Sequence, residues 1–95
     1  MKFYHGTSDI LGIDRMILPP EITGNQREEW RIKYRDKVFF TPSLLSAEKY
    51  ARKSCNKYGG NPIIYIVNPI GNYYKRIDCE YVADKAVVLG IEKLK

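Results

Sequence analysis

Apolar residues follow two different rhythms along this chain. Phe3-Tyr4, Val38-Phe39-Phe40 and Ile63-Ile64-Tyr65-Ile66-Val67 are short continuous runs without helical spacing, which predicts strands. The third run is continuous and β-branched, the pattern of a strand buried on both faces in the middle of a sheet. After residue 43 the rhythm changes: Leu44, Ala47, Ala51 and Cys55 recur at three- and four-residue steps, while Lys49, Arg52, Lys53 and Asn56 point elsewhere. That spacing predicts an amphipathic helix with Tyr50 at the edge of its apolar face. The hydroxyls of Thr41 and Ser43 around Pro42 suit its start, and Tyr58-Gly59-Gly60-Asn61-Pro62 stops it. A strand therefore feeds straight into a helix.

The remaining segments are read from their breakers. His5-Gly6-Thr7-Ser8 is expected to be a turn closing the first strand, with Gly6 free to take a geometry other residues resist. Residues 9–24 predict a short helix or turn followed by an extended connection through Pro19-Pro20. In residues 25–34, Trp30 and Tyr34 lie four apart, which fits either a short amphipathic helix or a loop over a site. Asn68-Pro69-Ile70-Gly71 predicts another turn. Residues 72–77 then form a strand with Tyr73 and Lys75 on one face and Tyr74 and Arg76 on the other, and residues 86–94 form the closing strand. Residues 1–95 thus make one strand-rich α+β domain with one principal helix.

Composition narrows the possibilities only slightly. A chain of 95 residues supports one small core. Its net charge of +5 suits an anionic partner, a phosphate-bearing small molecule, a nucleic acid or an acidic protein surface, with cations densest at residues 27–37 and 49–57. No apolar run approaches the roughly 18 residues of a membrane span, and the first residues lack the apolar stretch of a signal peptide, so a cytoplasmic protein without membrane partners is expected. Cys55 and Cys79 show no CxxC spacing and the chain has one histidine, so no metal site is expected. Both cysteines are read as reduced thiols, with a disulfide open in an oxidising compartment.

Three features stand in order with chemical possibilities. His5 sits at the exit of the first strand, where binding residues accumulate. Phe39 and Tyr50, on either side of the strand-turn-helix, can form an aromatic clamp for a flat ring. Glu80 precedes the last strand. This ordered set resembles the ADP-ribosyltransferase superfamily of the His-Tyr-Glu type over nearly the whole chain. YHGT, then VFFT with a tyrosine eleven residues beyond Phe39, then CEYV are similar to the catalytic core of poly(ADP-ribose) polymerases and the related bacterial toxins. IYIVNPIG and YVADKAVVLGIEKL are more similar to the short rifamycin-modifying ADP-ribosyltransferases.

The resemblance implies a compact ADP-ribosyltransferase-like fold with a strand-rich split sheet, and NAD as co-substrate. It implies that Tyr50 stacks on nicotinamide, that His5 binds the adenosine-ribose hydroxyls, that the Gly6 backbone pairs with the carboxamide, and that Thr7 supports that turn. Glu80 would hydrogen-bond the nicotinamide-ribose 2′-hydroxyl and stabilise the cationic transition state. Asp78, two residues earlier, resembles the residue with which some transferases select an acceptor. Phe39 stands where many relatives carry tyrosine, keeping the stacking face and losing a hydroxyl. In the rifamycin-modifying branch the acid lies earlier, but this chain has none between Val67 and Ile77, so Glu80 or Asp78 must serve.

The expected function is mono-ADP-ribosyl transfer to a protein, nucleic acid or small molecule. The alternative is a non-catalytic binding or inhibitory protein on the same fold acting on a host macromolecule. A third reading, from charge and eight tyrosines, is a small nucleic-acid binder.

Overall fold

The computed structural model describes residues 2–11, 13, 15–17, 37–77 and 79–92. Among the described residues there are five strands, β1 (Phe3–Ser8), β2 (Met16–Ile17), β3 (Val38–Phe40), β4 (Pro62–Ile77) and β5 (Glu80–Glu92), and one α-helix, α1 (Leu44–Tyr58), which packs on β1 and β4. A 3-10 turn at Asp9–Leu11 follows β1. All pairings are antiparallel. The order is β1-β4-β5-β2, with β3 also paired to β5. At the end of β3, Thr41 exchanges backbone hydrogen bonds with Tyr4 of β1, 2.7 and 2.9 Å long, so β1, β4, β5 and β3 close a ring. The result is an α+β domain built on a single sheet rather than the expected split one, because β4 and β5 are long enough to serve every other strand.

The alternation of side chains across the strands divides the interior in two. Inside the curled sheet lie Phe3, Ile17, Val38, Phe40, Tyr65, Val67, Ala83 and Ala86, contributed by all five strands. Phe3 meets Phe40 edge to face at a centroid distance of 4.9 Å. The second cluster joins the outer face of the sheet to the helix: Ile64 and Tyr4 against Leu44, Ala47 and Ala51. The apolar spacing read in the sequence thus identifies the buried face of α1. Ser43 caps the helix, its Oγ accepting from the Ser46 N–H at 3.1 Å, and the Gly59 N–H closes its other end on Cys55 O at 2.8 Å.

Two expected turns prove to be strand. His5, Gly6 and Thr7 continue β1, paired with Tyr65, Ile64 and Ile63 of β4. Gly6 does not supply a turn geometry: a Cβ there would lie 1.8 Å from Ala47 O and 3.0 Å from Ala51 N, so its bare backbone is what lets α1 seat directly on the strand. Asn68, Pro69 and Ile70 likewise continue β4, paired with Val87, Ala86 and Lys85 of β5. Pro69 lies beyond Val67, where pairing with β1 ends, and so its missing N–H breaks no ladder there. Gly71 takes φ 80° and absorbs the register shift between Ile70 and Tyr73, which removes the need for a turn. The closing strand begins at Glu80, earlier than expected, because residues 72–77 fold back onto it as a hairpin.

The predicted element at residues 25–34 and the acceptor residue Asp78 lie outside the described residues. Cys55, on α1, and Cys79, between β4 and β5, are free thiols. Among the described residues no three His, Cys, Asp or Glu side chains gather as a metal site, and no helix is long and apolar enough to cross a membrane.

Candidate active site

Where β1 and β3 meet, the sheet leaves a cleft lined by Tyr4, His5, Gly6, Phe39, Phe40, Thr41, Tyr50 and Glu80. Each side chain arrives for a local reason. Glu80 is the first residue of β5, and the alternation that turns Tyr81 and Ala83 into the curled sheet sends Glu80 and Val82 to the opposite face. Phe39 pairs with Val82 and shares that face. Tyr50 stands at the edge of the buried face of α1, three residues after Ala47 and one before Ala51, and its hydroxyl reaches Glu80.

The centre of the cleft is a buried carboxylate. Glu80 is 3% exposed. The Tyr50 hydroxyl donates to its Oε1 at 3.2 Å, and Arg76 Nη1 donates to its Oε2 at 2.6 Å across the β4–β5 hairpin. Both members of this ion pair are shielded from solvent. A carboxylate held this far from water requires such partners, since desolvation of an unpaired charge costs several kcal/mol.

His5 is fixed from the other side. Its Nδ1 lies 2.7 Å from Phe39 O, and because a carbonyl only accepts, Nδ1 carries a proton. In the neutral ring Nε2 is then the acceptor. This bond also ties β1 to β3 beside the Tyr4–Thr41 bridge, so the histidine is part of the wall as well as a surface a ligand could touch.

Of the residues proposed from the sequence, His5, Gly6, Phe39, Tyr50 and Glu80 therefore line one cleft. Thr7 does not join them. It is buried further along β1, its Oγ1 3.4 Å from Ser54 Oγ of α1. Gly6 lines the cleft as part of a paired strand rather than a turn. Arg76 was not anticipated; its spacing of four from Glu80 became informative only once Ile77 proved to pair with Glu80. Tyr4, Phe40 and Thr41 were also missed, because nothing in a short apolar run says which member borders a cavity.

The cleft has a cavity volume of about 50 Å³ and is open to one side. That is well below the about 300–1,000 Å³ of small-molecule pockets, so the cleft is a shallow notch beside Glu80 rather than a preformed seat for a whole ligand. No protein-family model matches this chain, and no curated protein is significantly similar to it in sequence. The assignment of the site rests on its geometry. Aromatic residues, a fixed histidine and a buried carboxylate at one end are a combination suited to stabilising positive charge that develops beside them.

Proposed function

We propose that the protein is a mono-ADP-ribosyltransferase that uses NAD, on an ADP-ribosyltransferase-like fold. One observation carries the reading: His5 from the first strand, Tyr50 from the helix and Glu80 from the last strand border one cleft, with the Tyr50 hydroxyl 3.2 Å from the Glu80 carboxylate. In this reading the nicotinamide ring lies against Tyr50 and Phe39, and His5 receives ribose hydroxyls. The bond between nicotinamide nitrogen and ribose C1′ breaks with its electron pair leaving on the nitrogen, which makes nicotinamide neutral. An acceptor X–H supplies the pair for a new C1′–X bond, and its proton passes to Glu80 and on to solvent. Glu80 holds the 2′-hydroxyl and offsets the positive charge that grows on the sugar as the bond lengthens. Tyr50 and Arg76 keep the carboxylate in place throughout.

The test is incubation of the pure protein with NAD, measuring released nicotinamide and bound NAD for wild type, Glu80→Gln and Tyr50→Ala. Glu80→Gln should bind NAD yet release nicotinamide at least about 100-fold more slowly, the loss typical of a transition-state electrostatic group. Tyr50→Ala should lose binding. Wild-type protein that neither binds NAD nor releases nicotinamide would overturn the proposal.

A non-catalytic binding protein on the same fold draws on a different observation, the engagement of both Glu80 oxygens within the molecule. It predicts that Glu80→Gln and His5→Ala leave the biological effect intact.

A further inference from the structure

The ring of strands closes at one thin seam. Every residue of β1 pairs with β4 and every residue of β3 pairs with β5, but β1 and β3 meet only through the isolated bridge of Tyr4 with Thr41, the residue that ends β3. These two residues exchange both backbone hydrogen bonds. In an antiparallel ladder the next exchanging pair would lie two residues on, at Gly6 and Phe39. The pairing stops short of it. The Phe39 carbonyl instead accepts the His5 Nδ1–H at 2.7 Å, so an imidazole stands where a strand N–H would.

The notch of the candidate site lies in this unfinished seam. Tyr4, His5 and Gly6 form one rim, and Phe39, Phe40 and Thr41 the other. With a cavity volume of about 50 Å³, against the about 300–1,000 Å³ of ligand pockets, the notch has to widen before it takes a substrate. Its other walls give little. Gly6 is pressed against the α1 backbone, where even a Cβ would fall 1.8 Å from Ala47 O, and Glu80 is held by Tyr50 and Arg76. The rim at Phe39 to Thr41 is tied to β1 more lightly, by the bridge and the histidine. The buried contact of Phe3 with Phe40, 4.9 Å between centroids, keeps β1 and β3 together inside the sheet, so any parting is local.

We propose that the seam between β1 and β3 is a gate: it opens locally at the Tyr4–Thr41 bridge, and the His5–Phe39 hydrogen bond is its latch. Opening widens the notch in front of Glu80. That the gate admits NAD rests on the transferase reading, whereas the opening itself does not.

The experiment is native-state hydrogen exchange of the full chain without NAD, followed residue by residue by NMR. The Tyr4 and Thr41 amides, which donate across the seam, should exchange at least about 100-fold faster than those of Ile66 and Val67, which are paired on both sides in the middle of the sheet. Urea below the unfolding transition should hasten Ile66 and Val67 and leave Tyr4 and Thr41 nearly unchanged, because a local opening exposes little surface. His5→Phe keeps a ring and removes the donor, and should hasten Tyr4 and Thr41 about five- to tenfold. Seam amides that match Ile66 and Val67 in rate or in urea dependence would overturn the gate, and seam amides unmoved by His5→Phe would overturn the latch. Nicotinamide release from NAD is measured in a separate assay, so the transferase reading and the gate can fail independently.

Discussion

Replacing Gly6 with alanine tests the packing on which the site depends. The added Cβ would fall 1.8 Å from Ala47 O, 2.7 Å from Ala47 C and 3.0 Å from Ala51 N. Carbon contacts are comfortable at about 3.5–4.0 Å, so strand and helix would have to separate by roughly 2 Å. What stands in the way is helix backbone, which cannot swing aside as the end of a long side chain can. Separation would open the contact of Ala47, Ala51 and Ile64, each fully buried, and would carry Tyr50 away from Glu80. Overpacking a tight interior costs about 1–3 kcal/mol, and the rigid obstacle places this case at the upper end, near 3 kcal/mol. A loss of that size is a large share of the 5–15 kcal/mol typical of a folded domain. Urea unfolding followed by circular dichroism should show a midpoint at least about 1 M lower, and the thermal midpoint should fall by at least about 12 °C. Gly90→Ala is the control, since a Cβ at Gly90 meets nothing within 4 Å. A Gly6→Ala protein as stable as Gly90→Ala would refute the reasoning, and with it the claim that α1 rests on the bare backbone of β1.

Two further outcomes follow from single contacts. Arg76→Met should destabilise by about 3–5 kcal/mol, because it strands the Glu80 carboxylate in a buried position; adding Glu80→Gln should recover much of the loss, and additive effects in chemical unfolding would contradict the pairing. Ser43→Ala removes the oxygen that accepts the Ser46 N–H, and should cost about 1 kcal/mol in the same assay.

Local pattern carried a good part of this protein. The spacing of Leu44, Ala47, Ala51 and Cys55 defined α1 and its buried face, and the Thr41-Pro42-Ser43 and Gly59 signals marked its ends, because helix periodicity and capping are properties of neighbouring residues. The β-branched run at residues 63–67 marked the strand that lies between β1 and β5. The order of His5, Phe39, Tyr50 and Glu80 along the chain singled out residues that border one cleft.

The breakers were less informative than their neighbours in space. Gly6 and the Asn68-Pro69-Ile70-Gly71 stretch carry turn chemistry, yet partners on β4 and β5 hold both as strand, since a paired ladder outweighs a local preference. Whether a glycine serves a turn or a close approach depends on what packs above it, and only the docking of α1 decided that for Gly6. The same holds for Arg76, whose partner faces it across a hairpin. The direction of each site side chain, the Tyr50–Glu80–Arg76 contacts and the tautomer of His5 are set by residues far along the chain. The sequence determined the elements and the chemistry available; the closing of β3 onto β1 and the seating of the helix decided where that chemistry meets.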